Sequence, residues 1–385
     1  MFADRVNRLP KYIFVKIEEL LAEKRQQGAN IIPLGIGDPD LATPQFIVDE
    51  LKKQVDDPKN HQYPSSAGEP DFREACAEWM KGRFNVDVDA GTEVTNVMGS
   101  KEGIANIARA FVNPGDVVLC PEPGYPVYQN GATKLCDGEP FVMPLKKEND
   151  FLPDFEAIPA DKLKAAKMMY LNYPNNPTAA IAPESFLKEA RDLAEDYNFI
   201  IVYDNAYSEF SYDDYKAPSF LEYSMDHIEF HSASKTFNMT GYRCGWAAGN
   251  SEIITGLRKI KSQIDSGGPM FIQRAVIKGL QAYKGKERPP EVEKNMKTYK
   301  ERRDVLVGGL KKLGFDIAPP KATFYVWTEC PGGCSMTFVE KLIGVDVVVT
   351  PGIGFGESGE GFIRFALTQP VDRLKEALER IAKVM

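Results

Sequence analysis

The run Phe199-Ile200-Ile201-Val202 has no polar residue on either side of its alternation, so a strand built from it is buried on both faces. Such strands belong to parallel sheets covered by helices, which commits the chain to an α/β architecture. Val117-Val118-Leu119-Cys120 is a second buried strand, and Val94-Thr95-Asn96-Val97-Met98 and Met168-Met169-Tyr170-Leu171 read as two more. Helices are expected from Phe46 to Val55, Asp71 to Arg83 and Ile104 to Phe111. Each of these strands runs into a turn-rich segment, and such strand ends are where open α/β sheets bind ligands.

The first run delivers Tyr203-Asp204-Asn205-Ala206-Tyr207. Further on, His231-Ser232-Ala233-Ser234-Lys235-Thr236 is followed by Gly241-Tyr242-Arg243, a lysine among small hydroxyl residues with an arginine close behind. Alone, that stretch is ordinarily a solvated loop. Paired with Asp204 it acquires a chemistry: the lysine holds a phosphorylated aldehyde as an internal Schiff base, and the carboxylate keeps a pyridine nitrogen protonated so that the ring accepts electrons. This pairing is a general pattern for pyridoxal phosphate (PLP).

Other strand ends fit the same reading, each with a plainer alternative. Gly99-Ser100-Lys101-Glu102-Gly103 opens a helix whose free N–H groups and positive dipole end suit a phosphate, or Ser100 is only an N-cap. Tyr125, on a proline-stiffened loop, stacks on a flat ring or belongs to the core or surface. Asn176, in Asn172-Tyr173-Pro174-Asn175-Asn176-Pro177-Thr178, donates to a ring oxygen or merely forms the turn. The glycines of Gly35-Ile36-Gly37-Asp38-Pro39-Asp40 permit close backbone approach to a ligand, or a structural turn.

A helix is expected over Lys11 to Gln27, a strand over Ile31 to Leu34, and helices from Ser251, over Phe271 to Tyr283 and over Pro289 to Leu313. The charged, proline-containing stretch 284–290 marks a boundary. Beyond it lies an α+β unit: strands at 323–327, 345–349 and 361–367, a helix at 336–343 and a last helix from Val371. With 385 residues and 43% hydrophobic composition the chain has material for two domains. A formal net charge of −8 argues against nucleic-acid and anionic-membrane partners, and no apolar run approaches the roughly 20 residues of a membrane span. Six scattered cysteines and three histidines suggest a reducing cytoplasm and no metal centre, with Cys330-Pro331-Gly332-Gly333-Cys334 read as a turn.

In order along the chain, Gly99-Ser100-Lys101, Gly124-Tyr125-Pro126, Asn175-Asn176-Pro177-Thr178, Asp204-Asn205-Ala206-Tyr207, Ser232-Ala233-Ser234-Lys235, Gly241-Tyr242-Arg243 and Ile363-Arg364-Phe365-Ala366 resemble the motifs of fold-type I PLP enzymes, in the branch of aspartate aminotransferase. The resemblance spans essentially the whole chain. It implies a large domain over 46–284, with a mostly parallel sheet flanked by helices, and a smaller domain formed by 1–45 and 285–385. It further implies that Lys235 carries the cofactor and moves the substrate proton. Asp204 would pair with the pyridine N–H, Asn176 and Tyr207 bond the ring oxygen, and Tyr125 stack on the ring. Ser100, Lys101, Ser232, Ser234 and Arg243 would surround the phosphate. Tyr63 would reach it from the partner subunit of a homodimer, and Arg364 would clamp the substrate carboxylate.

Within that branch the wording is most similar to LL-diaminopimelate aminotransferases of lysine biosynthesis, through Leu9-Pro10-Lys11-Tyr12-Ile13-Phe14, Lys235-Thr236-Phe237-Asn238-Met239-Thr240-Gly241 and Ala322-Thr323-Phe324-Tyr325-Val326-Trp327 among others. Tyr12 and Gly37 would then contact substrate. Glu102 is a plausible carboxylate for the substrate's distal ammonium, or stabilises a helix N-terminus. Ala179 and Ser66 depart from the glycine and tyrosine usual in such sequences, which bears on the substrate. The same lysine, aspartate and phosphate cup also serve broader alanine, aspartate or aromatic aminotransferases and β-lyases. A regulatory module on this fold is disfavoured by the acidic balance and the absence of an added DNA-binding domain.

Overall fold

The computed structural model describes residues 1–10, 13–26 and 28–385, without the side chains of 13–18 and 20. In chain order its strands are β1 (Ile32–Pro33), β2 (Val94–Val97), β3 (Val117–Glu122), β4 (Glu139–Pro144), β5 (Ala166–Leu171), β6 (Ile200–Asp204), β7 (Ile228–Ser232), β8 (Gly245–Gly249), β9 (Tyr325–Glu329), β10 (Val347–Val348), β11 (Thr350–Pro351) and β12 (Phe362–Ala366).

Seven of them form one sheet in the order β2-β8-β7-β6-β5-β3-β4. Only β8 runs against its neighbours, pairing antiparallel with β2 and β7. The period-2 alternation of each strand feeds two separate cores. Val118, Cys120, Met168, Tyr170, Val202 and Phe230 face the helices Ser100–Phe111 and Ser251–Lys261 through Ile104, Ile107, Ile254 and Leu257. Val117, Leu119, Met169, Leu171, Ile201 and Tyr203 face the helix Glu184–Tyr197 through Leu187 and Ala190 on the other side. This doubly covered, mostly parallel sheet is the α/β architecture that the apolar runs require.

The C-terminal part packs a three-stranded antiparallel sheet, β11-β12-β9, and the helices Pro290–Lys312, Ser335–Gly344 and Val371–Ile381 around Tyr299, Leu306, Phe324, Phe338 and Leu374. Two segments from elsewhere enter that core. β1 pairs in parallel with β10, and Ala206, Tyr207, Phe210 and Tyr212, just beyond β6, are buried in it. The two parts are therefore fastened together at the end of the strand that carries Asp204.

Two strands of the large sheet escape the sequence reading. β4 contains Pro140 and Pro144 and lies at the sheet edge, where proline is tolerated; β7 interrupts its apolar residues with Glu229 and His231, both buried. Of the expected strand 345–349 only β10 forms, on β1, and the separate β11 begins just beyond it and pairs with β12. Cys330 to Cys334 is the expected turn: Gly333 N–H donates to Cys330 O at 3.2 Å between β9 and the following helix, and both thiols are free.

Candidate active site

A cavity of about 370 Å³ lies at the C-terminal ends of the parallel strands. Its wall takes Gly99, Ser100 and Lys101 from the turn after β2 and the helix it opens, Tyr125 from the turn after β3, Asn172 and Asn176 after β5, Asp204 at the end of β6 and Tyr207 beyond it, Ser232 at the end of β7, and Ser234 and Lys235 beyond it. Arg243 closes one end; Gly37, Tyr325 and Arg364, held by the C-terminal unit, close the other. Residues spread over more than 300 positions meet because parallel strands all present the same end to one edge.

At the floor, Asp204 is 5% exposed and its Oδ2 accepts from Tyr128 Oη at 2.8 Å. Burial lifts its carboxyl to about 6, against the opposing hydrogen bond from Tyr128 and the positive influence of His231 and Lys235. Asn172 Nδ2 donates to the Asp204 carbonyl at 2.7 Å while its Oδ1 accepts from Asn176 N–H at 2.8 Å, so one amide ties the strand end to the asparagine turn. Lys235 Nζ donates to Gly37 O at 3.2 Å. Burial lowers its ammonium to about 8; Arg364 and Arg243 push the same way, while Asp38 and Asp204 oppose. An amine so tuned is partly uncharged near neutrality, as a nucleophile and proton carrier needs.

At one end, Ser232 and Ser234 are buried and Ser234 Oγ has no hydrogen-bond partner among the described residues. Beside them the first turn of the helix Ser100–Phe111 presents N–H groups that no residue of the helix itself accepts. Arg243 donates to Met98 O at 3.2 Å and Thr240 O at 2.9 Å, and a Cβ on Gly99 would lie 2.5 Å from its Nη2, so only glycine lets the guanidinium approach. Burial, then Arg243, lowers the Lys101 ammonium. An orphaned hydroxyl, a helix N-terminus and a guanidinium make a cup for a phosphate dianion.

At the other end Arg364, 2% exposed, donates to Asn176 Oδ1 at 2.6 Å and to Gly35 O at 3.0 Å. Its guanidinium carbon lies 4.1 Å from the Tyr325 ring centre and 4.7 Å from that of Phe355. The Tyr325 and Tyr207 hydroxyls are 3.1 Å apart, and burial raises the Tyr207 hydroxyl well above its usual value, keeping it a neutral donor. A Cβ on Gly37 would sit 2.2 Å from Tyr325 Oη, so glycine is required there for contact rather than for a turn. A second hollow of about 700 Å³ shares Lys101 and Tyr125 with the cavity and is walled in part by Glu122, Lys134 and Glu357.

Three expected residues stand apart. Tyr12 lies outside the described residues. Tyr63 is 88% exposed and does not line the cavity of its own chain. Glu102 does not face the cavity, which corrects the expectation that it reads a substrate ammonium. Its carboxylate accepts from Met98 N–H at 2.9 Å and Asn106 Nδ2 at 2.5 Å, and pairs at 3.0 Å with Lys261, whose side chain is fully buried. The alternative of a helix N-terminal stabiliser is what the side chain does. Tyr128, Asn172 and Tyr325 are site residues that sequence reasoning missed. Asn172 directly follows a buried strand, the signal that singled out Asp204, whereas nothing local distinguishes Tyr128 or Tyr325 from core aromatics.

The residues present fit pyridoxal phosphate: an amine on one wall, a buried carboxylate at the floor, a partnerless hydroxyl and helix N-terminus at one end, and the aromatic Tyr125 in the wall.

Comparison with known proteins agrees with this geometry. A sequence model described as aminotransferase class I and II matches residues 29–381. The chain is 48% identical to the LL-diaminopimelate aminotransferase of Aquifex aeolicus, covering 99% of this chain and 98% of that one. It is 50% identical to that of Maridesulfovibrio salexigens over the same shares. Among solved structures it resembles apo BacF from Bacillus subtilis (TM-score 0.94, 36% identity, 100% of this chain and 98% of that one). It also resembles a double mutant of the aspartate aminotransferase of Thermus thermophilus (TM-score 0.93, 27% identity, all of both chains). Matched end to end, and with lysine, aspartate and arginine gathered at one strand edge, the chain belongs to the class I and II aminotransferases, PLP-dependent enzymes of fold type I.

Proposed function

We propose that this enzyme transfers an amino group between LL-2,6-diaminopimelate and 2-oxoglutarate, giving tetrahydrodipicolinate, glutamate and water, the water leaving as the new oxo acid closes on its remaining amine, a step of lysine biosynthesis. The observation that carries the transfer chemistry is the convergence of Lys235, Asp204 and Arg364 on one cavity. The choice of substrate is supported by the names of relatives that are 45–50% identical over nearly their whole length. The neighbouring hollow, with Lys134 and Glu357 in its wall, supports room and charge for a second amino acid head.

When bound, PLP supplies an electron-accepting ring conjugated to the substrate nitrogen. Asp204 holds negative charge beside the ring nitrogen and keeps its proton in place. Tyr207 and Asn176 would hydrogen-bond the ring oxygen, and Tyr125 would cover the ring. Ser100, Lys101, Ser232, Ser234 and Arg243 bind the phosphate, Lys101 mostly through its backbone N–H. Arg364 takes both oxygens of the substrate α-carboxylate and so aims the Cα–H bond at Lys235. Lys235 Nζ then removes the Cα proton and delivers it within the site, its lowered affinity for protons allowing both uptake and release near neutral pH.

The enzyme works as a homodimer in the cytoplasm, with residues 46–284 as the cofactor-bearing domain and 1–45 with 285–385 as the second. Tyr63, exposed on its own chain, supports the dimer as a residue that reaches the partner's phosphate site. Six free cysteines support a reducing compartment. The test is a donor panel with 2-oxoglutarate as acceptor. LL-diaminopimelate should give the highest kcat/KM, and no reaction with it would replace this reading with a broader aminotransferase. Adding glutamate alone should yield pyridoxamine phosphate, which a β-lyase would not accumulate.

A further inference from the structure

Asp204 is buried at the cavity floor, and the one hydrogen bond shorter than 3 Å that the described residues supply to its carboxylate comes from Tyr128. The Ala206 N–H reaches Oδ1 only at 3.4 Å. Tyr128 is itself 1% exposed and sits in the wound turn Val127–Thr133 that follows Tyr125. Its ring stacks on Tyr170 at 4.9 Å and meets Tyr125 edge-on at 5.8 Å. Tyr170 Oη is in turn bonded to Ile104 O at 3.1 Å, so the stack is anchored to the helix that opens at the phosphate cup. The hydroxyl of Tyr128 thus has a fixed direction, and it points at Oδ2.

We propose that Tyr128 is a positioning residue that anchors Oδ2 of Asp204 and holds this carboxylate charged, leaving Oδ1 to meet the ring N–H of the cofactor. The inference rests on the reading of Asp204 as the partner of the ring nitrogen. The charged and titratable groups facing Asp204 are Tyr128 from the turn, His231 from β7, Lys235 from the helix after β7, and Tyr207 beyond β6. Burial raises the Tyr128 hydroxyl well above its usual value, so it stays a neutral donor throughout the working range. Burial drives Asp204 toward its neutral form, and the hydrogen bond from Tyr128 is foremost among the influences that oppose it.

The test compares Tyr128→Phe, which keeps the ring and the stack, with Tyr170→Phe, which removes a hydroxyl from the same stack without touching Asp204. In apo-protein labelled with ¹³C in the aspartate carboxyls, the signal assigned by its loss in Asp204→Asn should titrate about one pH unit higher in Tyr128→Phe. It should be unmoved in Tyr170→Phe. Because the carboxylate is then neutral to a higher pH, affinity for pyridoxamine phosphate should fall about twofold at pH 7 and approach a tenfold fall near pH 5, in Tyr128→Phe alone. Loaded with PLP, that variant should lose kcat with little change in KM. Tyr128→His, which restores an N–H donor on a flat ring, should recover part of the affinity, and it serves also if the phenylalanine variant folds poorly. An unmoved midpoint with unchanged affinity, or equal changes in Tyr128→Phe and Tyr170→Phe, would overturn the proposal. Wild-type turnover in Asp204→Asn would overturn the reading beneath it instead.

Discussion

Replacing Arg364 with lysine keeps the positive charge and discards the planar fork, which isolates what the guanidinium geometry does. In the structure two of its donors are committed to Asn176 Oδ1 and Gly35 O, and its face lies against Tyr325 and Phe355. A lysine ammonium has no plane to lie in that slot and offers a carboxylate a point contact. The variant should therefore lose about one charge-assisted hydrogen bond to the substrate, about 1.5–3 kcal/mol. At 1.4 kcal/mol per decade that is a fall of about 10- to 150-fold in kcat/KM. Stopped-flow half-reactions with glutamate, followed through the cofactor absorbance, measure it. The control is 4-aminobutanoate, which is glutamate without its α-carboxylate and should show no further loss in the variant. PLP binding should be unchanged, since Arg364 lies at the opposite end of the cavity from the phosphate cup. Equal losses on both amines, or none on glutamate, would refute the clamp.

Ala179 adopts φ 59° in a buried turn, a conformation that costs a residue with a Cβ about 1 kcal/mol. Ala179→Gly should therefore hold or raise thermal stability, with transamination unaltered; a drop of several degrees in Tm would show that the methyl group packs to advantage. For Lys235 only the uncharged amine attacks an aldehyde, so lowering its proton affinity brings the plateau to lower pH. The rate at which apo-protein captures PLP should rise about tenfold per pH unit below about 8 and level off above it. A rate still climbing at pH 10 would mean an ordinary lysine.

The fold was legible where burial is two-sided. Strands such as Val117–Cys120 and Phe199–Val202 expose nothing, so their sequence has one solution, and their C-terminal ends predict where Asp204 and Asn176 gather. β7 was not legible, because its buried Glu229 and His231 read as polar surface until the partners are seen: Ser219 Oγ and Phe220 N–H each donate to Glu229 at 2.7 Å, and Asn205 Nδ2 does so at 2.9 Å. Glu102 fails for the same reason. Its nearest charge, Lys261, is 159 residues away in sequence, and no local pattern announces that pairing. Ala179, a departure from the usual glycine, holds φ 59° in the asparagine turn, a backbone feature that its side chain does not announce. Tyr128 and Tyr325 are apolar by composition and polar by position, a distinction that only tertiary packing makes.

The central claim is that Lys235 is the amine that holds the cofactor. Borohydride reduction of the PLP-loaded protein, followed by proteolysis and mass spectrometry, tests it without reference to any substrate. A pyridoxyl-phosphate mass is expected on the peptide containing Lys235 and absent in Lys235→Ala, with the Lys235→Ala protein remaining folded. Label on Lys101, the other lysine of the cavity wall, or an unlabelled Lys235 in a protein that still turns over, would contradict it.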